Sequence, residues 1–177
     1  ELPADLWITS SDNFASWGGG DSSYHVKDLA ALVAAVDFLS VHTYPMHDTH
    51  YNPAFWGVAP AEMQLTDRQK IDTVMQRAAA YAQNQYEGVK AYVQSLGLSK
   101  PVHIGETGWA TLASELYGPT GSKATDEYKM AIYYRQMRRW TNKAGISCFY
   151  FEAFDEQWKD AANPLGSETI LALSTCR

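Results

Sequence analysis

Four short apolar runs alternate with three amphipathic stretches, and each run is followed by polar side chains. The runs are Leu6-Trp7-Ile8-Thr9 (continuing toward Phe14), Phe38 to Tyr44, Val102-His103-Ile104, and Ser147 to Phe151. The first helical stripe is Leu29, Leu32, Val33 and Val36. The second, over Arg68 to Ser95, is Ile71, Val74, Met75, Ala78, Ala82, Val89, Tyr92, Val93 and Leu96. The third is Met130, Tyr133, Tyr134, Met137 and Trp140. The order β-α-β-α-β-α-β predicts an α/β fold with a parallel sheet and right-handed crossovers. Functional groups in such sheets gather at the carboxyl ends of the strands. No linker interrupts the pattern, so residues 1–177 read as one domain.

Punctuation supports these boundaries. Asp21 or Ser22 is positioned to cap the first helix after a loose Trp17-Gly18-Gly19-Gly20 turn, and Asp37 ends that helix. Pro45 stops the second strand, and a polar loop is expected to extend to Thr66. Thr66-Asp67 caps the long helix, Gly97 closes it, and Thr125 or Asp126 opens the last one.

The charge balance is 14 − 20 = −6, which argues against general affinity for nucleic acid or anionic membrane. The basic run Arg135 to Lys143 lies on the last helix and reads as a solvated face. No apolar run approaches a membrane span of about 18 residues. Six Trp and eleven Tyr suit sugar stacking, although a rich core gives the same count. Cys148 reads as a core residue, and no disulfide with Cys176 is expected. His47, Asp48 and His50 lie close together, but an active-site loop explains them without a metal, and no fourth ligand is indicated.

Candidate chemistry concentrates in Pro101-Val102-His103-Ile104-Gly105-Glu106-Thr107-Gly108-Trp109-Ala110-Thr111. A strand ends on a carboxylate held between two glycines and followed by an indole. A (β/α) barrel presents a catalytic acid to a sugar in this way. An isolated Gly-Glu would read as a strand entering a polar turn; the flanking pattern favours the catalytic reading.

Ile104-Gly105-Glu106-Thr107-Gly108-Trp109 resembles the signature of glycoside hydrolase family 17, the β-1,3-glucanases and β-1,3-glucan transglycosylases. Val41-His42-Thr43-Tyr44-Pro45 and Phe151 to Lys159 resemble the strand ends flanking that signature. The resemblance covers roughly Leu6 to Gly166, and the bacterial branch is the closer match. It implies a retaining (β/α)8 TIM-type barrel, here a half-barrel of about four β/α units equivalent to strands 5 to 8. It makes Glu106 the nucleophile, Tyr44 the hydroxyl that orients it, and Glu156 and Lys159 the acidic and basic pair after the last strand. Glu156 and Lys159 also fit an i, i+3 surface ion pair. From residue type and position, Trp109, Phe151, Phe154 and Trp158 are platform or wall candidates, and His42 a substrate contact. Glu152 reads as a sugar-hydroxyl acceptor or a structural partner of a backbone amide. The family mechanism requires no cofactor, and none is expected. A periplasmic, cell-envelope or secreted location is implied over a cytoplasmic one.

Three departures qualify the resemblance. Ala110 stands where the family commonly has proline. The tail Thr169 to Arg177 replaces an aromatic segment. The strands that would carry the general acid/base are missing. No signal peptide is read, and a start at Glu1 rather than Met leaves room for a natural start lost upstream. A four-stranded half-barrel leaves open edges and an apolar inner face. A homodimer, or a complementing N-terminal half, is the expected remedy, with β-1,3-glucan or its oligosaccharides as ligand. The alternative is a half-barrel that binds glucan without cleaving it, or that serves only as structure.

Overall fold

Strand pairing begins later than the first apolar run. The computed structural model describes residues 3–111, 123–153 and 158. Its strands are β1 (Ser11–Asn13), β2 (Leu39–Thr43), β3 (Val102–Thr107) and β4 (Cys148–Tyr150). Leu6, Trp7 and Ile8 precede β1 and are exposed. The Ile8 amide donates to the Asp37 carboxylate (2.7 Å), and its carbonyl accepts from the Asp37 amide (2.9 Å). Thr9 Oγ1 donates to the Phe38 carbonyl at 2.5 Å. These bonds bracket the entry to β2. The Asp37 side chain takes an amide that a ladder would need, so the strand starts only beyond it.

The sheet order is β1-β2-β3-β4, and β1/β2 and β2/β3 run parallel. The expected parallel α/β sheet is therefore present. Its helices are α1 (Lys27–Ala35), α2 (Pro45–Thr49), α3 (Pro53–Trp56), α4 (Asp67–Ser95) and α5 (Glu127–Ala144). The segment after β2, expected to be one loop, folds into α2, α3 and a short turn at Pro60–Glu62. Pro45 and Pro53 each open a helix, where the missing N–H costs nothing. Asn52 caps α3 by accepting from the Ala54 and Phe55 amides. Thr66 and Gln69 form a reciprocal cap on α4.

The chain divides into two compact units. The first comprises Glu1–Thr43, Ala82–Thr107 and Thr141–Phe149. Its core includes Leu29, Val33, Val36, Val41, Val89, Val93 and Ile104, whereas Leu32 of the expected stripe is exposed. The Trp17-Gly18-Gly19-Gly20 turn is packed rather than loose. Trp17 is buried and donates its indole N–H to the Ser40 carbonyl (2.9 Å). A β-carbon on Gly88 would lie 2.6 Å from the Gly19 carbonyl oxygen, so the turn backbone rests on α4. Asp21 caps the following short turn, Ser22–Tyr24, instead of α1. The Ser23 amide holds its carboxyl below the ordinary value, with a smaller contribution from His25. Lys100 donates to the Ala34 and Val36 carbonyls and so closes the end of α1. Cys148 is half-buried rather than a core residue, because β4 follows β3 at the end of the strand order and Phe149 beside it is exposed.

The second unit comprises Tyr44–Tyr81, Gly108–Trp140 and Tyr150–Arg177. Arg77 ties its loop together, pairing with Glu62 and donating to the carbonyls of Phe55 (3.3 Å) and Gly57 (2.9 Å). Met130, Tyr133 and Met137 of the α5 stripe are buried. Among the described residues, no helix is long and apolar enough to cross a membrane.

Candidate active site

Alternation along β3 breaks at Gly105. Val41 pairs with Ile104, but His42 pairs with Glu106, so Gly105 is an extra residue opposite the Val41–His42 step. Val41 and Ile104 are fully buried on the covered face of the sheet. Strict alternation would turn Glu106 onto that face as well. The bulge shifts the phase by one residue and sets Glu106 beside His42 on the opposite face. Thr43 and Thr107, the next pair, return to the covered side, where Thr107 Oγ1 donates to the Thr43 carbonyl (2.8 Å).

β1 extends the polar row. Ser11 pairs with Ser40, and Asn13 with His42. Ser40 Oγ lies 2.7 Å from Ser11 Oγ, which lies 2.6 Å from His42 Nε2. His42 Nδ1 stands 3.6 Å from Glu106 Oε2, an ion-pair distance when the imidazole is protonated. The His42 and Glu106 side chains are 21% and 38% exposed, so the carboxylate is open to a ligand yet supported by the imidazole. Gly105 makes room for the row: a β-carbon there would meet Ser40 Oγ at 1.9 Å and Ser11 Oγ at 3.0 Å. Such a site presents a fixed carboxylate capable of nucleophilic or base chemistry.

The other candidates belong to the second unit. Tyr44 is half-buried, with its ring edge-on to His47 (5.4 Å between centroids). Its Cε1 lies 3.3 Å from where a β-carbon on Gly108 would be, and the Phe151 carbonyl oxygen lies 2.1 Å from the same point. The second glycine of the motif therefore lets the Phe151 backbone and the Tyr44 ring approach. The Phe151–Glu152 peptide is cis, and Glu152 is buried. Trp109, expected as a sugar platform, has no ring face open to solvent. It packs against Trp56 and Tyr133 and donates its indole N–H to the Ala124 carbonyl (3.0 Å). Of the two candidate indoles, Trp158 is the exposed one, at 70%. Phe154, Glu156 and Lys159 lie outside the described residues, as do Cys176 and the tail.

Thus the structure brings His42 and Glu106 together and adds Ser11 and Ser40, which the sequence reading gave no role. Ser40 and His42 are two residues apart on one strand and so share a face, a signal available in the sequence. The Ser11 register was not, because it depends on where β1 starts.

No family model matches the chain. An endo-laminarinase from Formosa Hel1_33_131 superposes with a TM-score of 0.94 and 63% identity, over 98% of this chain and 44% of that one. Two structures of a Rhizomucor miehei β-1,3-glucanosyltransferase also match. An active-site mutant in complex with laminaritriose gives a TM-score of 0.61 at 18% identity, over 97% of this chain and 47% of that one. The other, described as of glycoside hydrolase family 17, gives 0.60 at 17%, over 96% and 46%. At those identities the likeness to the transferase is one of fold. A glucan 1,3-beta-glucosidase from Arthroderma benhamiae is 44% identical over 66 residues, 36% of this chain and 20% of its own length. The chain is thus similar to β-1,3-glucan-acting enzymes, one of them described as of glycoside hydrolase family 17, and it spans less than half the length of the proteins it matches.

Proposed function

We propose that this chain carries the nucleophile-bearing part of a retaining β-1,3-glucan hydrolase or transglycosylase, in the form of a half-barrel. The observation that carries the reading is the bulge at Gly105, which turns Glu106 beside His42 on the face opposite Val41 and Ile104. The 63% identity to an endo-laminarinase supports the substrate class. In the reaction, Glu106 attacks the anomeric carbon as the glycosidic bond breaks, and the departing oxygen takes a proton from a second carboxyl about 5–5.5 Å away. Water or an acceptor sugar then releases the glycosyl group. The family resemblance would give Tyr44 the role of orienting Glu106, Glu156 and Lys159 that of setting its charge environment, and Glu152, Phe154, Trp158 and His42 that of sugar contacts.

The second carboxyl is assigned to a complementing part of the barrel. Leu6, Trp7, Ile8 and Phe149, all exposed, support completion by a second copy or by a missing half. General acid assistance is worth about 10²–10⁴-fold. The test therefore compares two substrates on one preparation, with Glu106→Ala alongside. An aryl β-laminaribioside needs little acid; an unactivated β-1,3-gluco-oligosaccharide needs both carboxyls. Turnover of the aryl substrate, lost in the variant, is the expected result. Turnover of both means that assembly supplies the acid. Binding without any turnover by the folded protein would replace this reading with that of a glucan-binding half-barrel, and failure to bind as well would leave a structural one.

A further inference from the structure

We infer that Ser11, backed by Ser40, is a positioning residue that fixes the proton of His42 on Nδ1, so that the ring N–H faces Glu106. The inference rests on the reading of Glu106 as nucleophile. The row Ser40–Ser11–His42–Glu106 crosses three strands on one face of the sheet. Ser40 is buried, and Ser11 Oγ, 2.7 Å away, is the partner its hydroxyl has among the described residues. A buried hydroxyl proton left undonated is costly, so Ser40 donates to Ser11. The Ser11 proton is then directed at the nearest acceptor, His42 Nε2 at 2.6 Å. A nitrogen that accepts carries no proton, which leaves the ring proton on Nδ1, the atom facing Glu106 Oε2 at 3.6 Å. The opposite tautomer would aim a lone pair at an ionised carboxylate.

A second feature of the fold supports the assignment. Gly105 leaves empty the space that the two hydroxyls occupy, since its β-carbon would meet both. The bulge that turns Glu106 over is thus built around the serine pair. Ser11 does not touch the reacting atoms in this scheme; it acts through His42.

The tautomer is read directly by long-range ¹H–¹⁵N correlation of histidine-labelled protein at about pH 8, above the ordinary imidazole range. The chain has five histidines, and His42 is identified by the signals lost in His42→Gln. The expected pattern has a protonated Nδ1 and a bare Nε2. Ser11→Ala should shift His42 toward the Nε2–H form, the commoner one in water, and Ser11→Thr, which keeps the hydroxyl, should hold the wild-type pattern. An Nε2–H tautomer in the wild type, or a pattern unchanged by Ser11→Ala, would overturn the assignment. Glucan turnover does not enter this measurement. Failure of the hydrolase reading and failure of the proton assignment therefore show separately.

Discussion

The hydroxyl of Ser40 occupies the space where a β-carbon on Gly105 would stand, 1.9 Å from that point. The residue before Glu106 is a glycine because a neighbouring strand fills its side-chain volume. Gly105→Ala should force the Ser40 and Ser11 hydroxyls aside and cost about 1–3 kcal/mol, an overpacking effect measurable by denaturant unfolding. Ser40→Ala in the same background should recover part of that loss, because the nearer of the two clashing oxygens is gone. Additive penalties in the double-mutant cycle would show that the two sites do not meet.

The two indoles expected to contact sugar should separate in experiment. Trp109 is fully buried and hydrogen-bonded to the Ala124 carbonyl. Trp109→Ala should cost about 3–5 kcal/mol of stability. Trp109→Phe, which leaves that carbonyl without its donor, should cost about 1–3 kcal/mol. Trp158 is exposed. Trp158→Ala should leave stability within about 0.5 kcal/mol and weaken binding of laminari-oligosaccharides about tenfold, roughly 1.4 kcal/mol. Unfolding curves and titration calorimetry on the same variants check both halves.

The alternation of strand and helix was legible because periods of two and 3.6 are written in side-chain order. Stripes such as Val74-Met75-Ala78-Ala82 on α4 are buried as their spacing requires. Glu106 stood out as a candidate because small residues and an indole flank it in the sequence. The phase of β3 was not legible. Nothing in Ile104-Gly105-Glu106 says that Gly105 is an extra residue; that follows from its register against Val41 and His42. The start of β1 was missed for a related reason. Leu6-Trp7-Ile8 has strand propensity, but its amide is captured by Asp37, 29 residues away. Exposure of Trp109 against Trp158 was equally out of reach, since both are tryptophans beside a strand end, and only packing against Trp56 and Tyr133 distinguishes them.

Arg77 holds the loop between β2 and α4 through one carboxylate and two carbonyls. A methionine keeps the apolar stem and removes all these bonds. Arg77→Met should therefore cost about 1–3 kcal/mol. It should also raise amide exchange selectively around Phe55 to Glu62, where the lost acceptors lie. Uniform protection changes across the chain would indicate global loosening instead. Glu62→Gln should be milder, because the two carbonyl bonds survive.

Tyr86 links stability to alkaline pH. Its ring is buried on α4 and its hydroxyl donates to the Val102 carbonyl at 3.1 Å, at the start of β3. Burial raises its pKa above the ordinary value of 10.0, and the nearby Glu87 carboxylate adds to the rise. A raised pKa means that the folded chain keeps a proton the unfolded chain has released. Stability from this group is therefore complete below pH 10 and is lost as pH climbs through the folded value. The slope from one whole proton is about 1.4 kcal/mol per pH unit. Tyr86→Phe removes both the hydrogen bond and the ionisation. It should lower stability near neutral pH by about 0.5–1.5 kcal/mol, yet decline less steeply above pH 10 than the wild type. Urea unfolding at a series of alkaline pH values, with both proteins in parallel, measures the difference. Parallel curves would mean that Tyr86 ionises in the fold as readily as in the unfolded chain, and that the Val102 contact does not hold the phenol neutral.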